Sequence, residues 1–190
     1  MKNDYKDSVD ETQEIFLRLE QYDDIFSDFD IRPYSRRALS ADFLNEIKRA
    51  SYDKSNDGIE LALYVPAAGR QVSKEPVIAE RLSTHFKKHF LLMRQEKRKV
   101  IATGLGMVAL GIICMVLATL IIFEDPANDF WLSFLVVFLE PAAWFLLWEG
   151  MDQIVFTTKD MGPELNFYRK MSHSRGRIIF KSGDFFASSK

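Results

Sequence analysis

Residues Val100 to Phe123 read VIATGLGMVALGIICMVLATLIIF, 24 positions without one charged side chain. About 20 apolar residues in a helix suffice to cross the hydrocarbon core of a bilayer. A chain of 190 residues has too little other sequence to cover such a helix on every side as a soluble core. Its mid-chain position is not that of a signal peptide. The stretch therefore predicts a membrane span. A second block, Phe130–Trp148 (FWLSFLVVFLEPAAWFLLW), predicts another, with aromatic residues at both ends.

Only Glu124, Asp125, Pro126, Ala127, Asn128 and Asp129 separate the blocks, so the spans form a hairpin and both termini face one side. The approach to the first span is basic, Arg94-Gln-Glu-Lys97-Arg98-Lys99, whereas the connecting loop holds three acids and no base. The positive-inside rule puts the basic flank, and with it both termini, in the cytoplasm. Lys87, Lys88, Arg94, Lys97, Arg98 and Lys99 form a juxtamembrane cluster, each gaining about 1 kcal/mol from an anionic leaflet. Trp131, Trp144 and Trp148 fit interfacial anchoring. Glu140, followed by Pro141, is the polar exception inside the second span. A carboxylate at mid-depth costs about 2.5–3.5 kcal/mol unless it is protonated or paired, and the proline invites a kink. Thr103, Thr119, Ser133 or a second subunit are its candidate partners. One acid without a second intramembrane ionisable group makes no proton relay.

Charge is partitioned along the chain although the total is only −2. Residues 1–30 carry three basic and ten acidic groups, residues 31–99 fifteen and eight, residues 100–148 none and four, and residues 149–190 seven and five. The balance excludes a generally basic nucleic-acid binder, and nucleic acid is not expected as a partner. A single cysteine, Cys114, excludes an intrachain disulfide and any cysteine-cluster metal site.

Outside the hairpin, residues 1–99 and 149–190 are expected to build one cytosolic domain from two pieces. Ile15, Leu19, Tyr22 and Phe26 stand at helical spacing within residues 10–29, which predicts an amphipathic helix. Ser40 caps a predicted helix that presents Phe43, Leu44 and Ile47. Ser55–Gly58 supplies a turn and residues 59–65 a strand closed by Pro66. From Glu75, Ile78, Leu82, Phe86, Phe90 and Met93 mark a helix with no glycine or proline before Gly104, a stalk running into the membrane. Ile154–Phe156 ends the second span or begins a strand. Pro163–Met171 reads as a short helix with Leu165 and Tyr168 on one face, Gly176–Phe180 as a strand, and Lys181–Lys190 as a frayed end. A small mixed sheet follows, in which strands from before and after the hairpin meet. The fold class is α+β: a two-helix transmembrane hairpin inserted in a small cytosolic αβ domain with a long stalk helix.

The order of short motifs resembles a widespread family of two-span bacterial membrane proteins. It runs Phe29-Asp30-x-x-Pro33-Tyr34-x-x-Arg37-x-Leu39, then Ile59-Glu-Leu-x-Leu-Tyr-Val-Pro66, then the basic helix with Ala79 and Phe86, then Trp144-x-x-x-Trp148, then Leu165-x-x-Tyr168-Arg169, over roughly residues 25–180. An acid-glycine pair and a Trp-Arg-Pro exit of the family pattern are replaced by Val137-Phe138 and Trp148-Glu149-Gly150. The resemblance implies the two-span architecture and a bacterial inner membrane, and supplies no chemistry.

The sequence holds no GxSxG, GxxxxGK[ST], GxGxxG or HExxH motif. His85 and His89 stand at the i,i+4 spacing by which two imidazoles share a metal, but the surrounding cations oppose one and no third ligand is evident, so neither metal nor cofactor is expected. Arg32, Arg36 and Arg37 flank Ser35 and are candidates for a phosphate or lipid headgroup, or are paired with the acidic first thirty residues. The chain reads as a membrane-anchored interaction or regulatory module, in contact with the anionic leaflet, with a homo-oligomer and a cytosolic protein as expected partners. The alternatives are an enzyme acting on a lipid or nucleotide phosphate, with Asp30 or Asp42 as base, and an oligomeric pore that uses Glu140. Gly104, Gly111 and Ala118 line one stripe of span one and Ala102, Gly106 and Ala109 another, which predicts one seam for the hairpin and one for a second copy.

Overall fold

Leu61, Ala62, Leu63 and Val65 are all buried, a near-continuous apolar run that only a strand covered on both faces tolerates. They belong to β2 (Glu60–Val65), which lies between β1 (Glu14–Arg18) and β3 (Ile178–Ser182) in a three-stranded sheet. The computed structural model describes residues 14–54, 59–124, 129–172 and 178–183. The turn expected at Ser55–Gly58 lies outside the described residues. Between β1 and β2 stands α1 (Ala41–Ala50), and after β2 come α2 (Glu75–Glu124), α3 (Phe130–Asp152) and α4 (Gly162–Ser172).

All three strands run parallel, with Ile15 opposite Leu61 and Leu63 opposite Phe180. The expected mixed sheet is thereby corrected. Strands from before and after the two apolar helices do meet, and each crossover in the sheet carries helix, which is what parallel pairing requires. The helix expected over residues 10–29 is also corrected. Its described part is β1, then a 3-10 turn at Tyr22–Ile25. Ile15, Leu19, Tyr22 and Phe26 are all buried, so the spacing found core positions but not their backbone. Extended geometry prevails because Ile15-Phe16-Leu17 is β-prone and β2 offers it a ladder. Lys181 and Ser182, expected in a frayed end, belong to β3.

The other αβ elements follow their sequence signals. Ser40, in extended conformation, precedes α1, and Phe43 and Ile47 are the buried residues of that helix. The first turns of α2 bury Ile78, Leu82 and Phe86 completely. Phe86 meets Phe167 of α4 edge to face at 6.0 Å, and Tyr22 packs on Phe180 of β3 at 5.8 Å. These elements form one unit, Met1–Leu91 with Glu164–Lys190.

The second unit is Leu92–Pro163. Its two helices are long and apolar enough to cross a membrane. α2 continues without interruption to Glu124, and α3 continues through Pro141 into a π-turn at Gln153–Thr157 and a further turn at Thr158–Asp160. Ile154–Phe156 is therefore helical. Just past the π-turn the Thr158 hydroxyl donates back to the Ile154 carbonyl. Asp129 caps α3, its carboxylate accepting from the Trp131 amide at 3.1 Å.

Candidate functional site

Phe29 and Ile31 are 99% and 97% exposed, and the backbone that carries them is held firmly. The loop 27–38 closes where the Ser27 amide donates to the Ala38 carbonyl at 2.9 Å and the bridge Phe26–Leu39 begins. Asp30 is its inner brace. That carboxylate accepts from the Ala38 amide at 2.6 Å and from the Arg32 guanidinium at 2.7 Å. Hydrogen bonding to Arg32, then to the Ala38 amide, holds Asp30 far below the usual carboxylate range. Pro33 fixes φ, and its carbonyl accepts from the Arg36 and Arg37 amides, turning the chain back.

The loop is also tied to its surroundings. Arg37 pairs with Asp23 at 2.5 Å, and the Tyr34 hydroxyl donates to the same carboxylate at 3.1 Å. The Tyr34 ring stacks on Phe26 at 5.1 Å. Arg81 of α2 donates to the Arg37 carbonyl at 3.0 Å. Arg32 and Arg37 are thus committed to Asp30 and Asp23, while Arg36 stays exposed and has no ion pair among the described residues. The structure does not converge Arg32, Arg36 and Arg37 on one point. Asp30, held by two donors, is a poor general base, and Asp42 is exposed at the start of α1.

A second polar group stands where the parallel strands end. Arg70 forks onto Glu75 at 2.8 Å and reaches the Ser182 hydroxyl and the Phe180 carbonyl. The Tyr22 hydroxyl donates to Glu75 at 3.0 Å and accepts from the Gln71 amide. The hydrogen bond from Arg70 holds Glu75 below the ordinary range. The carboxyl ends of parallel strands are a common ligand location, but these groups satisfy one another and tie β3 to the entry of α2. Lys170 of α4, buried, donates to the Ser51 and Lys54 carbonyls just past α1, a cation placed at a helix C-terminus where the dipole favours it.

The rings of His85 and His89 are 4.1 Å apart and tilted by 34°, and His89 stacks on Tyr168 at 5.2 Å. Burial, then the charges of His89, Arg81 and Lys88, pushes His85 down to about 4. Burial also lowers His89, with Lys88 in the same sense and Glu164 opposing. No group of three His, Cys, Asp or Glu side chains that suits a metal occurs among the described residues. The pair serves the packing of α2 on α4. Lys87, Lys88, Arg94, Lys97, Arg98 and Lys99 all lie on α2.

In the second unit the Gly104, Gly111 and Ala118 stripe is the seam between α2 and α3. A Cβ on Gly104 would stand 2.8 Å from the Gly150 carbonyl, and one on Gly150 2.7 Å from the Gly104 carbonyl. A Cβ on Gly111 would meet the Ala143 carbonyl at 3.0 Å. Backbone packs on backbone there, as small residues permit. Ala102, Gly106 and Ala109 stay exposed, and a Cβ on Gly106 would meet nothing. Glu140 borders a cleft beside Thr119, but the Thr119 hydroxyl donates to the Met115 carbonyl instead. The sequence reading missed Gly150, which falls just beyond the apolar block ending at Trp148. The signal was its size, complementary to Gly104. It also missed the bare loop tip, since nothing in Phe29-Asp30-Ile31 distinguishes exposed apolar residues from core.

The fold and its surfaces define a parallel αβ unit joined to a pair of long apolar helices. No family model matches the chain, and neither a curated protein nor a solved structure matches it.

Proposed function

We propose that this chain is a membrane-anchored interaction module of a bacterial inner membrane. The two apolar helices hold it there, both termini lie in the cytoplasm, and the loop 27–38 contacts a cytosolic protein. The observation that carries this reading is the combination of a braced backbone with two apolar side chains almost wholly exposed at its tip. A loop fixed before binding loses little entropy when it docks. Lipid is the weaker occupant of that tip. Arg32 and Arg37 are neutralised within the chain, so Arg36 alone is left to draw the loop to an anionic leaflet, at about 1 kcal/mol. The basic residues of α2 supply the lipid contact instead. Self-association is a second reading, favoured by the exposed Ala102, Gly106 and Ala109 on the side of α2 away from α3.

A photo-crosslinking side chain at position 29 in cells should give one discrete adduct that Ile31→Asp abolishes, while the same probe at exposed Lys48 gives none. An adduct of twice the chain mass would make the partner a second copy, and a smear at both positions would refute a specific contact. A cysteine placed at Asn128 should react with an impermeant maleimide in spheroplasts. Labelling at Ser55 in its place would reverse the topology.

A further inference from the structure

Beside the glycine seam, the second unit contains a cleft of about 230 Å³ lined by Met115, Ala118 and Thr119 of α2 and by Glu140, Ala143 and Trp144 of α3. Ala118 and Ala143 are buried, and their small size makes the floor of the cleft. Glu140 and Trp144 are one helical turn apart and so share a face of α3. Among the described residues Glu140 makes no hydrogen bond or ion pair. The Thr119 hydroxyl spends its proton on the Met115 carbonyl at 2.9 Å, which leaves its oxygen able only to accept.

The groups offered to an occupant are therefore electron-rich: a carboxylate, a hydroxyl oxygen, a thioether and an indole ring. A carboxyl group in hydrocarbon is either protonated or paired with a positive charge, and the electron-rich lining favours the pair. An inorganic cation would be under-coordinated, since Mg²⁺ and Ca²⁺ take six or more oxygens. A lipophilic organic cation suits the cleft better. Its charge lies against the carboxylate and the ring face, the arrangement that recognises quaternary ammonium groups, and its apolar part covers Met115 and the alanines. We infer that this cleft binds a lipophilic organic ammonium ion, with Glu140 as its counter-ion and Trp144 as its aromatic wall. The inference rests on the proposed membrane location, because in water a lone carboxylate needs no such partner.

The two readings are separated on one preparation. Membranes holding the full chain are first washed with alkaline carbonate. Release of the chain would overturn the membrane location and this site together. The retained chain, purified in a nonionic detergent, is then tested with benzyltrimethylammonium by equilibrium dialysis, and by Trp144 fluorescence in a Trp131→Phe/Trp148→Phe background. Saturable binding at one ion per chain is expected. Glu140→Gln and Trp144→Leu should each weaken it about tenfold or more, while Glu140→Asp, which keeps the charge, should restore most of it. A retained chain that binds no ion, or that binds equally well as Glu140→Gln, would overturn the site. So would a native mass showing a dimer that Glu140→Gln dissociates, with no ion bound, because the counter-charge would then come from a second copy.

Discussion

Leu61, Leu63, Ile78, Leu82 and Phe86 are wholly buried in the αβ unit, whereas Leu105, Ile113, Phe134, Val137 and Phe145 of the helix pair are all more than half exposed. The residue types are the same and their settings opposite. In the αβ unit apolar side chains face one another, and expulsion of water holds the elements together. In the helix pair they face outward, and the contact between helices is made by glycine and alanine. The difference teaches two modes of packing in one chain: bulk fills the αβ unit, and the absence of bulk joins the helix pair, as suits the hydrocarbon surroundings proposed for it.

The largest effect should come from removing bulk in the first region. Phe86→Ala is expected to destabilise the αβ unit by about 3–5 kcal/mol, read as a lowered denaturant midpoint in detergent, whereas Phe145→Ala should leave the helix pair within about 0.5 kcal/mol. Equal losses at the two positions would erase the contrast.

The reverse experiment adds bulk in the second region. Gly150→Leu places atoms where the Gly104 carbonyl and the Val108 side chain already lie, at 2.7 and 2.8 Å. Overpacking of this kind costs about 1–3 kcal/mol, more when the obstacle is backbone. Disulfide trapping between cysteines replacing Ala118 and Ala143, which line one cleft, in a Cys114→Ser background should be lost in Gly150→Leu and kept in Gly106→Leu. Loss in both would place Gly106 in the seam as well.

The smallest effect is titration of the αβ unit. His85 is held at about 4, below its ordinary 6.5, so on acidification the unfolded chain takes up the proton first. Stability is full above pH 6.5 and is lost as the pH falls towards about 4. Arg81, Lys88 and His89 of α2 strengthen this trend, while Glu164 of α4 opposes it at His89. The melting temperature should fall between pH 7 and pH 4.5, and by less in His85→Asn. Parallel falls in the two proteins would move the sensitivity elsewhere.

Legibility in the sequence followed the physics of each region. The apolar helices were plain because each holds a long run without charge or nearly so, long enough to cross a bilayer. α1 and β2 were plain because cap-type, turn-type and proline residues punctuate the sequence around them, although the Ser40 side chain makes no capping hydrogen bond. β1 was not: Ile15, Leu19, Tyr22 and Phe26 satisfy a helical period and also a strand followed by a turn, and only the partner β2, distant in sequence, decides between them. The parallel sense of β3 was hidden for the same reason. At the surface, the sequence left Arg32, Arg36 and Arg37 to a phosphate or to the acidic first thirty residues. The second reading holds for Arg32 and Arg37, and which acids claim them, Asp30 and Asp23, follows from the fold of the loop.

The pairing of β3 with β2 sets an order of events during synthesis. β2 leaves the ribosome with α2, α3 and α4 still to be made, and at ordinary translation rates it waits seconds for its second neighbour. Throughout that interval its free edge is a template for wrong partners. Both apolar helices emerge within the same interval, so the sheet closes only after both have been made and, in the proposed membrane location, after they have met the bilayer. Completion of the sheet is therefore a late checkpoint. A chain halted before Ile178 would keep its open strand edge and present it to the proteases that clear unfinished products.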